Sequence, residues 1–88
     1  MKALLLYRSN SEGESLARSF AADFERQTGK SIEMLDVDTP QGIELVQLYD
    51  IVAYPAVLAR ADDGTLLQLW QGEPMPRISE VSYYATGS

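Results

Sequence analysis

The chain has 88 residues, enough for one domain with a single hydrophobic core and too few for two, so one domain over residues 1–88 is expected. With 45% hydrophobic and 23% charged residues it has the composition of a globular chain able to fold alone rather than a disordered one. A net charge of -6 disfavours nucleic acid and anionic membranes, and the absence of cysteine and histidine excludes thiol–disulfide exchange, cysteine or imidazole catalysis and ordinary zinc coordination.

Residues 3–7 (Ala-Leu-Leu-Leu-Tyr) form a short apolar run closed by Arg8, Ser9 and Asn10, the pattern of a strand buried on both faces. The run is too short for a signal-peptide core. No stretch reaches the about 20 apolar residues that span a bilayer, so a cytoplasmic location is expected. From Leu16 the apolar positions change to helical spacing: Leu16, Ala17, Phe20, Ala21 and Phe24 share one face, with Arg18, Glu25 and Arg26 pointing away. Gly29 supplies a left-handed cap near the end.

Residues 32–37 alternate apolar and acidic side chains and predict a second strand, followed by Asp38-Thr39-Pro40 as a turn into a second helix over 41–50. Leu45, Val46, Leu48 and Tyr49 are expected on its apolar arc. Pro55 opens a third strand over 55–59, and Asp62-Asp63-Gly64-Thr65 predicts a tight primed turn into an antiparallel fourth strand over 66–71. On that strand, Leu66 and Trp70 are expected on one face and Leu67 and Leu69 on the other. A last helix is expected over 77–84, with Ile78 and Val81 inward. The result is an α/β fold of order βαβαββα, a four-stranded mixed sheet with helices on both faces.

Several of these residues together carry a resemblance. The series Asp36-Val37-Asp38, then Tyr49-Asp50-Ile51-Val52-Ala53-Tyr54-Pro55, then the Asp63-Gly64 hairpin resembles the thioredoxin-like superfamily, with glutaredoxins similar in size. The resemblance implies a cis peptide bond before Pro55. It also implies an active-site loop between the first strand and first helix, where catalytic relatives carry one or two cysteines and the helix N-terminus stabilises the thiolate. Here that loop holds Ser9, Asn10, Ser11, Glu12, Gly13 and Glu14, with Ser11 and Glu14 at the cysteine positions. What is implied is a redox-inactive relative, without cofactor, metal or catalytic residue, that binds a peptide or protein in a groove between residues 9–14 and Tyr54-Pro55.

Other readings of the same residues stay open. Ser11 and Glu14 have the spacing of a capping box. Ser11 as a nucleophile needs a base that no histidine or nearby lysine supplies. The first amides of the helix are able to take an anion, against the charge of Glu12 and Glu14. The Tyr54-Pro55 turn either shapes the entry to the third strand or pairs with an extended peptide. Asp36, Asp38, Glu12 and Glu14 suggest a rival function, a carboxylate or metal-assisted enzyme, although their spacing fits no ion-binding loop. A redox protein whose cysteine was replaced at Ser11 is a further alternative. Trp70 is expected in the core, Tyr83 and Tyr84 over the sheet, and the protein as a monomer or a weak homodimer through its fourth strand.

Overall fold

Strand β1 (Lys2–Tyr7) places Ala3 and Leu5 on one face and Leu4 and Leu6 on the other, and all four are buried. A strand apolar on both faces needs cover on both faces. The computed structural model, which describes residues 2–86, provides it with three helices. The order along the chain is β1, α1 (Glu12–Thr28), β2 (Glu33–Asp36), α2 (Pro40–Tyr49), β3 (Ala56–Arg60), β4 (Leu66–Gln71) and α3 (Ile78–Thr86). The fold is therefore α/β with a four-stranded mixed sheet. The strands lie side by side as β2-β1-β3-β4, with β2 parallel to β1 and the other two pairs antiparallel.

Two cores follow from the alternation. On one face Ala17, Phe20 and Phe24 of α1 and Val81 of α3 pack on Ala3, Leu5 and Val57. Trp70 joins that core from β4 and meets Tyr84 edge-on, while Tyr83 is left exposed. On the other face Leu45 of α2 and Ile51 cover Leu4, Leu6, Ala56 and Leu58. The Cα register agrees, since Leu5 faces Val57 while Leu4 faces Leu58.

The α2 helix begins where its sequence provides both a cap and a preset backbone. The Thr39 hydroxyl accepts from the Gly42 N–H at 3.1 Å, and Pro40 occupies the first turn, where no donor is missed. Gly42 itself is fixed by close approach: a Cβ there would lie 2.1 Å from the Asp36 carbonyl oxygen and 2.8 Å from the Val37 Cα. The helix thereby sits directly on the end of β2.

Four expectations are corrected. Tyr83 does not cover the sheet; it is 68% exposed, because Tyr84 beside it takes the inward place against Trp70. Leu48 is not on the buried arc of α2; it is 64% exposed, because the short helix presents Leu45, Val46 and Tyr49 to the sheet. The hairpin is not a two-residue primed turn. Among its loop residues only Gly64 has positive φ (91°), and Gly64 N–H bonds back to the Ala61 carbonyl at 2.9 Å, giving a three-residue loop.

The fourth concerns β4, whose register with β3 slips so that Ala59 pairs with Gln68 but Arg60 pairs with Leu66. Leu67 is the extra residue of this bulge. The slip moves Leu66 to the α2 face beside Leu69, opposite the face of Trp70. It also interrupts an edge strand, since β4 lies at the border of the sheet.

Gly42→Ala should cost about 3 kcal/mol or more, because its Cβ meets backbone that cannot move without shifting the whole helix. Gly29→Ala, at a left-handed cap with open space around it, should cost only about 1 kcal/mol. Denaturant midpoints of the two variants check this ranking, and equal costs contradict it.

Candidate functional site

Strand β1 is followed by α1 on one face of the sheet, and its parallel neighbour β2 by α2 on the other. The loops leaving the two strands therefore part in opposite directions and open a crevice at the strands' carboxyl ends, the usual place for ligands in such sheets. Ser9 and Asp36 meet there. The Ser9 hydroxyl donates to Asp36 Oδ2, and the Asp38 N–H donates to Oδ1 at 2.9 Å. These two donors, the serine first, hold the Asp36 carboxyl below the usual carboxylate range.

The next residues turn the chain into α1. Asn10 takes a left-handed backbone with φ 61°, a conformation asparagine tolerates better than most residues. Its N–H donates to Glu14 Oε1 at 2.7 Å, while Glu14 Oε2 accepts from Arg18 at 2.9 and 2.8 Å. The Asn10 amide and then the Arg18 guanidinium lower the Glu14 pKa. Ser11 is the N-cap by position, but its hydroxyl donates to the Arg8 carbonyl at 2.6 Å and makes no bond to the helix amides. The capping box expected of Ser11 and Glu14 is thus not formed: the Ser11 hydroxyl turns to Arg8, and Glu14 reaches back one residue further than expected, to Asn10. The left-handed turn at Asn10 aims that residue's amide at the helix. Glu12 points to solvent.

Gly13 joins this loop to the second half of the site. A Cβ on Gly13 would lie 3.4 Å from Pro55 Cδ and 3.8 Å from the Pro55 nitrogen, so the first turn of α1 rests against the proline with space for one methyl group. Pro55 is buried, its bond to Tyr54 is cis, and its carbonyl accepts from the Gly72 N–H at 3.0 Å. A second cis bond precedes Pro74. Among the described residues, neither the N–H nor the carbonyl of Tyr54 enters a hydrogen bond. The tyrosine ring packs on the α2-side core and carries the Arg8 guanidinium 5.3 Å from its centroid.

All eight residues singled out in the sequence, Ser9, Asn10, Ser11, Glu12, Gly13, Glu14, Tyr54 and Pro55, thus lie on two segments that meet at Gly13 and Pro55. Three participants were missed. Asp36 appeared in the sequence as one carboxylate among several, and no local pattern links it to Ser9. Arg8 and Gly72 gave no signal, since the contacts of each depend on segments about 45 and 17 residues away. The four carboxylates of the rival enzyme reading are not gathered: among the described residues no group of three or more acidic side chains is placed to hold a metal ion. Among the same residues no helix is long and apolar enough to cross a membrane.

Because the folded Asp36 pKa is depressed, its bonds stabilise the fold above the ordinary carboxylate range, and the effect is lost as pH falls through the depressed value. Ser9→Ala should therefore lower stability at about pH 7 and lose most of that deficit near pH 2. Urea unfolding at both pH values checks this; an equal deficit at both assigns Ser9 to packing instead.

Comparison with known proteins places the fold and nothing narrower. No family model and no curated protein matches the sequence. Among solved structures the chain is similar to one called "Structure of a malarial protein", with a TM-score of 0.65 and 13% identity over 97% of this chain and 92% of that one. Likeness at that identity is likeness of fold alone.

Proposed function

We propose that this chain is a redox-inactive thioredoxin-like domain that binds an extended peptide segment of a partner in the groove between residues 9–14 and Tyr54-Pro55. The supporting observation is the meeting of the two segments at Gly13 and Pro55, beside a Tyr54 backbone whose amide and carbonyl are unpaired. An unpaired N–H and C=O on one residue are what a peptide strand needs to pair in antiparallel fashion. The polar side chains nearby are engaged already: Ser9 with Asp36, Ser11 with Arg8, and Glu14 with Asn10 and Arg18. Recognition therefore runs through the backbone, with side-chain chemistry secondary. Ser11, where catalytic relatives hold a thiol, directs its only hydroxyl proton to a carbonyl. The spacing from Tyr49 to Pro55 and the mixed sheet covered on both faces support the thioredoxin-like assignment. The interrupted β4 edge favours a monomer.

The test is a titration of the isotopically labelled protein with a capped peptide of alternating valine and lysine, and separately with glutathione. Saturable shifts are expected at the amides of Ser9, Asn10, Gly13, Tyr54 and Gly72. Gly13→Val, which fills the gap beside Pro55, should weaken peptide binding about tenfold or more, whereas Gly13→Ala should bind nearly as the parent does. Shifts confined to surfaces remote from Pro55, or no saturable shift with either probe, contradict the reading.

A further inference from the structure

Leu16, Glu73, Pro74 and Met75 line an open depression between α1 and the connection from β4 to α3. Two links tie it to the groove proposed above. Leu16 follows Gly13 by three residues and so lies on the same face of α1, one turn on. Glu73, Pro74 and Met75 directly follow Gly72, whose N–H bonds to the Pro55 carbonyl at 3.0 Å. Pro74 is therefore within about 7 Å of the residue tied to Pro55, the span of two residues of extended chain.

Three of the four lining side chains are apolar, and a ligand can reach them. Leu16 is 38% exposed and Pro74 is exposed, while Met75 is half-buried and packs against the α1-side core. An aliphatic side chain placed here covers the leucine and the proline and rests on the adaptable methionine. Glu73 stands exposed at the rim. Among the described residues its carboxylate makes no hydrogen bond or ion pair, and no other lining residue carries a charge. Strand addition takes affinity from the main chain and specificity from pockets that receive alternate side chains. The Tyr54 backbone offers the first and this depression the second. Successive side chains of a strand point to opposite sides, so a residue that enters the depression has neighbours directed outward, past Glu73.

We infer that the bound segment carries an aliphatic residue that fills this depression, flanked by a lysine or arginine that pairs with Glu73. The inference rests on the groove reading and names what the groove selects. The probes are the capped valine–lysine peptide and two peptides of equal length, one with serine for each valine and one with glutamate for each lysine. Each is titrated into labelled protein at about 0.15 M salt, which screens the long-range pull of the net charge. The methyl groups of Leu16 and Met75 and the amides of Gly13 and Tyr54 are observed.

The valine–lysine peptide should shift all four residues, and the serine peptide should bind about tenfold more weakly. E73Q should bind the valine–lysine peptide about threefold more weakly, and E73K should erase the preference for lysine over glutamate. E44Q, on the far side of the sheet, should bind as the unaltered protein does. A native-like spectrum of each variant separates lost binding from lost folding. Shifts at Gly13 and Tyr54 with none at Leu16 and Met75, equal binding of the serine or glutamate peptide, or an equal loss in E73Q and E44Q overturns the inference and leaves the groove standing. Absence of shifts at Gly13 and Tyr54 removes the groove and the inference together.

Discussion

The structure depends on two adjacent strands that cannot face water on either side. Leu4, Leu5 and Leu6 of β1, and Ala56, Val57, Leu58 and Ala59 of β3, are almost wholly buried. At about 25 cal/mol per Å² of apolar surface removed from water, such a pair is stable only when both faces are covered. The requirement sends α1 and α3 to one face and α2 to the other. It also creates the crevice where the two loops part, and it brings the start of the antiparallel β3 to the same end of the sheet. The candidate site is a consequence of how the core is covered rather than an addition to it.

Within that crevice the chain settles most of its polar groups locally. Asn10 turns in a left-handed conformation so that its amide meets Glu14, Arg18 holds the other oxygen of the same carboxylate, and Ser9 closes on Asp36. A helix start that would otherwise attract an anion is thereby answered from its own sequence. What is left unanswered is backbone, at Tyr54, beside a proline held between Gly13 and Gly72. On the proposed function, such a groove would discriminate by shape and strand geometry more than by charge. The -6 net charge nevertheless biases encounter toward basic partners.

Much of the fold was legible because its signals are local. The apolar run at residues 3–7, the periodicity through Phe24, the Thr39-Pro40 helix start and the Asp-Gly hairpin each state their element within a few residues. What was not legible depended on long-range geometry. The β4 bulge is set by pairing with β3, so alternation alone put Leu66 on the face of Trp70. Leu48 has the same character as Leu45, and only the position of α2 over the sheet decides which is buried. The capping box had the right residues at the right spacing, and one left-handed residue at Asn10 diverted it. For the site, the resemblance singled out both segments, and their meeting at Gly13 and Pro55 required the fold. The Ser9–Asp36 bond and the Arg8–Tyr54 contact, across 27 and 46 positions of the chain, carry no local mark.

The central claim is that the Tyr54 backbone is a pairing edge waiting for a strand. Amide hydrogen exchange at Tyr54, measured with and without saturating valine–lysine peptide, tests it most directly. Pairing predicts fast exchange in the free protein and strong protection in the complex, centred on Tyr54. A Tyr54 amide that exchanges at the same rate in both, while protection appears elsewhere, contradicts the account.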